Sequence, residues 1–296
     1  MISVIISSQD KETLEKVSTN IANTIGVPFE LIAFENSNGK KGICEVYNRG
    51  IDQSKFDILC FTHEDVFFET KDWGKKVAAH LKDKKIGLVG LAGGDTKSIV
   101  PSSWSSSVFQ SEINIIQHSK DKTKPAEHIL KTGYPEDNST LKQVVAIDGV
   151  WMCTRKDVTR RFKFDTENFS GFHGYDIDFS LQVQTAYKVG VVFDLILHHF
   201  SDGSYNKAWM ESMITVSEKW RKRLPVSVRQ LSKEELVRQH WTTMKNFLSK
   251  LNRLEYSRLT IFSHFLKYSF NKYFHVASFL HVLRLLLQND WDSQEN

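Results

Sequence analysis

Short apolar runs alternate with amphipathic segments along the first ninety or so residues of the chain. Three of these runs are SVIISS, FELIAF and FDILCF. Each is almost continuously apolar, which is typical of strands that are buried on both faces of a parallel sheet. Between the first two runs, KETLEKVSTNIANTI repeats its apolar residues at helical spacing. The alternation therefore predicts an α/β domain whose parallel sheet is covered by helices on both faces.

This regular pattern is interrupted over residues 93–142, which are rich in Ser, Lys, Asp and Pro. A connection of this length inside a compact domain is usually a lid, a binding loop or disordered. Order resumes at QVVAIDGVWMCTRKDV, which predicts a strand, a turn at Gly149 and a helix. The later run VVFDLILHHF predicts the last strand of the domain.

The C-terminal quarter has a different character. Ser232 and Glu235 have the spacing of a helix capping box, and the sequence that follows has a predominantly helical pattern. We therefore predict two domains, residues 1–225 and residues 226–296, with a boundary near Pro225.

Composition narrows the class of protein. The 296 residues are 41% hydrophobic and 25% charged with a formal net charge of +4, which is typical of a soluble globular protein and gives no indication of a nucleic-acid partner. The three cysteines, Cys44, Cys60 and Cys153, have no C-x-x-C spacing, so we expect neither a disulfide scaffold nor a zinc ribbon, and a reducing cytoplasm fits best. The opening MISVIISSQD lacks a basic leader and is predicted to be a first strand rather than a signal peptide. No apolar run is long enough to cross a bilayer.

Three polar clusters stand at predicted loop edges. They are His63, Glu64 and Asp65 after the third strand; Asp176 and Asp178 in GYDIDFS; and His198 and His199 at the end of the last strand. In parallel sheets, loops at the carboxyl ends of the strands gather around ligands, so these groups are candidates for one shared site.

Each cluster also has a plainer explanation. An acidic pair such as Asp176 and Asp178 stabilises the N-terminus of the helix it precedes. His198 alone is explained as a hydrogen-bonding residue at a strand end, and Asp65 alone as a surface turn carboxylate. The joint occurrence of the three clusters, in this order, favours a functional site.

Six segments in order resemble the nucleotide-sugar glycosyltransferases of the GT-A fold, in particular family 2. The segments are SVIISSQD, FENSNG with YNRGI, FTHEDVFF, VVAIDGVWMCTRKDV, FSGFHGYDIDFSLQ and LILHHFSDGS. The resemblance covers about three quarters of the chain. It implies a GT-A (Rossmann-like) mixed, mostly parallel sheet flanked by helices, followed here by a C-terminal helical extension.

The resemblance also implies a metal site. Asp65 occupies the place of the family's D-x-D metal ligand, and His198 or its neighbour His199 would be the second ligand. Because side chains alternate along a strand, only one of the two histidines is expected to face the site, and His198 looks like the family's histidine. His63 stands where many relatives carry an acid, so that role is either absent or filled by imidazole. Oxygen ligands suit Mg²⁺ or Mn²⁺, and an added imidazole favours Mn²⁺.

On the acceptor side, the resemblance implies that Asp176 is the catalytic base and Asp178 the second acid. Gly149 and Trp151 lie in the segment similar to the family's acceptor side. His173 is interpreted as an acceptor contact, as support for another site residue, or as a solvated turn residue.

On the donor side, Ser7, Glu35 and Asn48 correspond to nucleotide-binding positions. For Glu35 a solvated loop acid is the open alternative. The sequence departs from the family at Tyr175, where Glu is common, and at Tyr47, where Arg is frequent.

The implied activity is transfer of a sugar from a UDP-, GDP- or dTDP-sugar to a hydroxyl of a glycan or lipid-linked acceptor. Such a hexosyltransferase-like reaction would invert the anomeric carbon and serve glycan or polysaccharide biosynthesis. Two other readings stay open. One is a non-catalytic nucleotide- or glycan-binding module that retains the fold. The other is a metal-dependent hydrolase, which would need more metal-binding carboxylates or histidines than these clusters offer.

Residues 256–289 contain no acidic residue. Aromatic residues and leucines alternate there with Arg258, Lys267, Lys272 and Arg284. Such basic amphipathic helices either pack on the catalytic domain or on a second subunit in a homodimer, or make peripheral contact with the inner face of the membrane.

Overall fold

A computed structural model describes most of the chain. The described residues are 1–105, 107–109, 111–119, 123, 127–130, 139–203, 205–288 and 291. Part of the long connection predicted over residues 93–142, including 131–138, lies outside them.

Strands and helices alternate in the first half of the chain, as the apolar pattern predicts. Within the described residues the strands are β1 (Ile2–Ser8), β2 (Phe29–Glu35), β3 (Ile58–Thr62), β4 (Val66–Phe68), β5 (Ile86–Gly90), β6 (Ala92–Gly94), β7 (Thr96–Lys97), β8 (Ser111–His118), β9 (Glu127–Leu130), β10 (Leu141–Val144), β11 (Ala146–Ile147), β12 (Trp151–Arg155), β13 (Lys188–Val192), β14 (Leu197–Phe200) and β15 (Val226–Ser227). The helices are α1 (Lys11–Thr24), α2 (Ile43–Gln53), α3 (Trp73–Lys82), α4 (Lys156–Arg161), α5 (Tyr175–Val183), α6 (Lys207–Lys219), α7 (Lys233–Arg253), α8 (Arg258–Ser269) and α9 (Val276–Gln288).

The main sheet is mixed. Among the described residues its order is β10-β13-β5-β12-β3-β1-β2. Strand β1 pairs in parallel with β2 and β3, and β5 pairs in parallel with β13. Strand β12 runs antiparallel between β3 and β5, and β10 runs antiparallel to β13. The predicted mixed sheet flanked by helices is therefore confirmed.

A second sheet contains strands that the sequence pattern did not predict. Its order among the described residues is β11-β6-β8-β14-β4. The irregular connection predicted over residues 93–142 is thus wrong for β6 to β10, because β8 buries Ile115 and Asn114 between neighbouring strands. The run VVFDLILHHF is also two strands rather than one. Its interruption coincides with Asp194, whose carboxylate lies 2.9 Å from His80 Nε2.

The core lies on both faces of the main sheet. One face packs against α2 and α5 and includes Tyr47, Phe61 and Phe164, whose rings lie within 5.2 Å of one another. The other face packs against α1 and α3 and includes Trp73 and Trp151, which meet edge-on with their centroids 6.2 Å apart. Alternation along β1, β3 and β12 fills both faces at once.

The C-terminal helices continue this core. Helix α7 begins with the predicted capping box, in which Ser232 and Glu235 each accept a hydrogen bond from the other's backbone N–H. Its apolar face, which includes Trp241 and Phe247, joins the core cluster on the α2 and α5 side. Strand β15 pairs with β7, so the chain just after residue 225 adds to the preceding domain. The boundary near Pro225 stays a prediction. No helix in the described part of the chain is long and apolar enough to cross a bilayer.

A buried asparagine fixes the position of β4, which follows the first polar cluster. Asn20 of α1 donates from Nδ2 to the Phe68 carbonyl at 3.1 Å and accepts from the Phe68 N–H at 2.7 Å. The backbone N–H and C=O of Phe68 are thereby both hydrogen-bonded inside the protein.

We expect Asn20→Leu to lower the free energy of unfolding by about 2–4 kcal/mol, because two buried backbone groups lose their partners. Asn23→Leu, at an exposed position on the same helix, is the matched control and should change stability by no more than about 0.5 kcal/mol. Urea denaturation of both variants measures the difference. Equal effects would contradict the role assigned to Asn20.

Candidate functional site

A large cleft opens at the carboxyl ends of β1 and β3. Its volume is about 2130 Å³, more than the roughly 300–1,000 Å³ of a typical small-ligand pocket. It therefore has room for two substrates side by side. The cleft is lined by members of all three polar clusters, including His63, Asp65, Asp176 and His199.

Two histidines and one aspartate converge on one side of the cleft. Asp65 Oδ1 lies 3.8 Å from His63 Nδ1 and 3.6 Å from His199 Nε2. One ligand atom from each of the three side chains lies within 4.8 Å of the other two. Among the described residues this is the group of His, Cys, Asp and Glu side chains that is able to hold a metal ion.

Hydrogen bonding orients the His63 ring toward this group. The Tyr175 hydroxyl donates to the Gly149 carbonyl at 3.1 Å, and His63 Nε2 lies 3.1 Å from the same hydroxyl oxygen. Burial raises the pKa of Tyr175 well above its usual range, so the hydroxyl keeps its proton. This contact holds the Nε2 edge of the His63 ring, and the Nδ1 edge lies on the side of Asp65.

The His199 ring is oriented in the same way by Gln117. The Gln117 amide nitrogen donates to the Ser201 carbonyl, so its oxygen is the atom 3.0 Å from His199 Nδ1. Nδ1 therefore donates, and the Nε2 lone pair lies toward Asp65. Metal-binding histidines commonly have the second ring nitrogen fixed by such a partner. Two imidazoles and a carboxylate fit Mn²⁺ better than Mg²⁺, which prefers oxygen ligands alone.

His198 does not join this group. It lies on the opposite face of β14, where Nδ1 is 2.7 Å from His118 Nε2 and Nε2 is 2.9 Å from a carboxylate oxygen of Glu69. The sequence preference for His198 over His199 is thus reversed by the geometry, because alternation along the strand directs His199 to Asp65. The expectation that only one of the two faces the site agrees with the structure.

Two carboxyl groups meet on the other side of the cleft. Asp176, at the start of α5, is half-buried and accepts a hydrogen bond from the Gly149 N–H at 3.1 Å. Asp148 accepts hydrogen bonds from the Trp104 indole N–H at 2.6 Å and from the Val150 N–H at 2.8 Å. Burial, together with the nearby charge of Asp148, raises the pKa of Asp176 to about 7. A carboxyl group of this kind exchanges protons near neutral pH.

Asp178 has a different environment, although it lies only two residues away. It is buried on the other side of α5, where it accepts from Trp220 Nε1 at 2.7 Å and from Gln182 Nε2 at 2.8 Å. Lys219 Nζ lies 2.7 Å from its Oδ1. The structure therefore places Asp178 in an internal polar network and not in the cleft.

The predicted nucleotide-binding residues are dispersed. Ser7 lines the cleft at the end of β1. Glu35 is exposed outside it and accepts from the Ser37 backbone N–H at 3.3 Å. Asn48 is held by Phe164, whose carbonyl and N–H it contacts at 2.8 and 3.1 Å. Only Ser7 of the three is in a position to contact a ligand in the cleft.

The predicted acceptor-side residues also separate. Gly149 and His173 line the cleft, and burial lowers the pKa of His173. Trp151 is fully buried in the core against Trp73. The turn at Gly149 reaches the cleft, whereas the strand after it does not.

Four residues of the site were missed as functional candidates: Asp148, Tyr175, Gln117 and Trp104. Asp148 precedes the recognised Gly149, and Tyr175 stood out as a departure from the family pattern, so both had a signal in the sequence. Gln117 and Trp104 lie in the segment predicted to be irregular and had none. Glu64 also lines the cleft, but it is not part of the His63, Asp65 and His199 group; it accepts hydrogen bonds from the backbone N–H groups of Gln9 and Asp10 at 2.8 and 3.1 Å.

Comparison with family profiles places the chain in one class. The profile of a family described as "Glycosyltransferase like family" matches residues 3–224. No curated protein sequence gives a significant match.

Three solved structures are similar. A structure of GalNAc-T7 with UDP, GalNAc and Mn²⁺ has a TM-score of 0.52 and 11% identity over 99% of this chain, which spans 58% of the length of that structure. TarS 1-349 from S. aureus has a TM-score of 0.47 and 12% identity over 97% of this chain and 91% of its own. A197 from STIV has a TM-score of 0.40 and 13% identity over 68% of this chain and 86% of its own. At 11% identity the likeness to GalNAc-T7 shows the fold alone.

The ring orientations predict which variants lose metal. We expect His199→Ala to abolish Mn²⁺ binding, measured by electron paramagnetic resonance of the free ion, and His198→Ala to leave it unchanged. Tyr175→Phe removes the partner of His63 Nε2 and should weaken binding about tenfold or more. If His198→Ala lowers the Mn²⁺ affinity and His199→Ala does not, the assignment of His63, Asp65 and His199 as the metal-binding group is contradicted.

The two acidic residues of α5 should differ in stability effect. Asp178→Asn breaks a buried network and should lower the free energy of unfolding by about 2–4 kcal/mol. Asp176→Asn should leave it unchanged or raise it at pH 8. The folded-state pKa of Asp176 is raised to about 7 from 3.8, so above that range the ionised carboxylate destabilises the fold. Because burial also raises the pKa of Asp178, the two variants are compared by denaturation at pH 8, and a larger loss for Asp176→Asn would contradict the assignment.

Proposed function

Because the chain belongs to the glycosyltransferase-like family and has the GT-A fold, we propose that it transfers a sugar from a nucleoside diphosphate to an acceptor hydroxyl with inversion. The acceptor is a glycan or a lipid-linked sugar. The observation that carries the proposal is that one cleft holds both a His-Asp-His group and a carboxyl whose pKa is raised to about 7.

The donor side of this proposal rests on His63, Asp65 and His199. The nitrogen and oxygen atoms of these side chains fit Mn²⁺. The presence of UDP, GalNAc and Mn²⁺ in the GalNAc-T7 structure favours a UDP-sugar as the nucleotide-sugar substrate. A divalent cation bound there would stabilise the negative charge that develops on the departing diphosphate.

The acceptor side rests on Asp176. In its ionised form this carboxylate takes the proton of the attacking hydroxyl, while the Gly149 N–H holds its Oδ2 in place. Asp148 keeps the Asp176 pKa high enough for the ionised form to be an effective base near neutral pH. Attack on the face of the sugar opposite the diphosphate inverts the anomeric carbon.

The biological setting that we propose is glycan or polysaccharide biosynthesis in the cytoplasm. The three cysteines are buried and unbridged, which fits a reducing compartment.

Release of nucleoside diphosphate over a panel of donor sugars with Mn²⁺ tests the proposal. We expect Asp176→Asn to lower kcat by about 10²–10⁴-fold with little change in the donor KM, because it removes the base and leaves the His-Asp-His group intact. His198→Ala is the control and should keep its turnover. Full turnover in Asp176→Asn, or no turnover with any donor and acceptor, would contradict a catalytic role and favour a non-catalytic binding module.

The pH dependence gives a second test. Because the base must be ionised, kcat/KM should rise about tenfold per pH unit below pH 7 and level off above it. Asp148→Asn removes the charge that helps to raise the Asp176 pKa, so the acidic limb should move to lower pH. An acidic limb that stays fixed in Asp148→Asn would contradict the coupling between the two carboxyl groups.

A further inference from the structure

Helices α8 and α9 keep a large apolar surface in contact with solvent. On α8, Leu259, Phe262 and Leu266 recur at helical spacing and are 83%, 40% and 38% exposed. On α9, Leu280 and Leu287 are 56% and 73% exposed. We refer to these residues, together with Phe270, Phe274 and Val276, as the outer apolar face.

The outer apolar face is continuous across the turn between the helices. The rings of Phe270 and Phe274 stack with centroids 5.7 Å apart, and both contact Phe279, at 5.7 and 5.6 Å. Phe279 in turn stacks on Phe265 of α8 at 4.9 Å. Phe270 and Phe274 are therefore the solvent-exposed part of one aromatic cluster that also contains Phe265 and Phe279.

Packing on the catalytic domain does not account for this face. The inner side of the same helices is already buried, through Ile261, Phe265 and Tyr268 of α8 and Val282 and Leu285 of α9. Of the alternatives drawn from the sequence, packing on the catalytic domain thus holds only for the inner side of these helices. The outer side is left as an exposed apolar patch, and such patches mark surfaces that bind another protein or a membrane.

Every charged side chain within residues 256–289 is cationic. Arg258 at the start of α8, Lys272 in the turn and Arg284 on α9 are exposed, and residues 256–289 contain no Asp or Glu. Lys267 is left out of this group because it pairs with Glu218 at 3.1 Å. The partner of this surface must accept apolar side chains and carry negative charge.

We propose that the outer apolar face binds an anionic membrane surface. Its apolar side chains enter the boundary between headgroups and acyl chains, and Arg258, Lys272 and Arg284 contact lipid phosphates. A second copy of the chain fits less well, because a two-fold interface sets each patch against its equivalent and brings the cations of both copies together. The proposal is independent of the sugar-transfer activity.

Vesicle flotation of the full chain tests this. We expect binding to phosphatidylcholine vesicles that contain phosphatidylglycerol, at least tenfold weaker binding to phosphatidylcholine alone, and a decrease in binding as salt is raised. Phe270→Ser with Phe274→Ser should weaken binding at least tenfold by removing two inserting side chains.

A charge-matched pair of variants separates the patch from net charge. Replacing Arg258, Lys272 and Arg284 with Gln should weaken binding about a hundredfold, since each cation near an anionic surface contributes about 1 kcal/mol. Replacing Lys84, Lys163 and Lys188 with Gln, all exposed on the catalytic domain, should change it little. Circular dichroism and nucleotide release confirm that each variant is folded.

Light scattering of the same proteins without vesicles tests the alternative that a second copy of the chain covers the outer apolar face. Equal loss in the two triple variants, or equal binding to both vesicle types, would overturn the proposal. A dimer that Phe270→Ser with Phe274→Ser dissociates, together with no vesicle binding by the unaltered chain, would assign the face to a second copy instead.

Discussion

The backbone pairing of β14 with β4 and β8 is the constraint on which the candidate site depends. It sets His199 opposite Val66 and Gln117, and the Phe200 N–H donates to the Asp65 carbonyl at 2.9 Å. A register shift of one residue would turn His199 away and bring His198 to Asp65. The Asn20 contact with β4 and the Gln117 contact with His199 both maintain this register. The convergence of His63, Asp65 and His199 is therefore a result of strand pairing as much as of residue identity.

Crowding of negative charge defines the other side of the cleft. Asp176 and Asp148 are close enough for one to raise the pKa of the other, while Asp178 is neutralised by Lys219 inside the fold. Neighbouring carboxylates on the same helix thus take different tasks because their environments differ. Both residues lie in the first turn of α5, as the explanation by the helix N-terminus requires, but their other contacts differ.

The sequence was sufficient for the architecture, because apolar periodicity and the order of six segments both reflect the α/β core, and the GT-A fold is confirmed. Motif position was also enough to select Asp65, His63 and Asp176, which the structure places in one cleft and whose roles stay predictions. The sequence favoured His198 over His199, whereas His199 lies beside Asp65, because that choice depends on strand register. It could not identify Gln117 or Trp104, because a segment rich in polar residues forms strands only through pairing with β6 and β14. Trp151 and Asn48 resemble site residues in sequence, but Trp151 packs in the core and Asn48 hydrogen-bonds to the backbone of Phe164.

The Tyr175 hydroxyl connects the two polar sides of the cleft, because it contacts both His63 and Gly149. It lies 3.1 Å from His63 Nε2 and donates to the Gly149 carbonyl, while the Gly149 N–H donates to Asp176. His63 and Asp176 are consequently linked through one residue, Gly149, and one phenol. If the two have the roles proposed above, a substitution at His63 would also disturb Asp176, and the two sides of the cleft would have to change together as the protein diversifies.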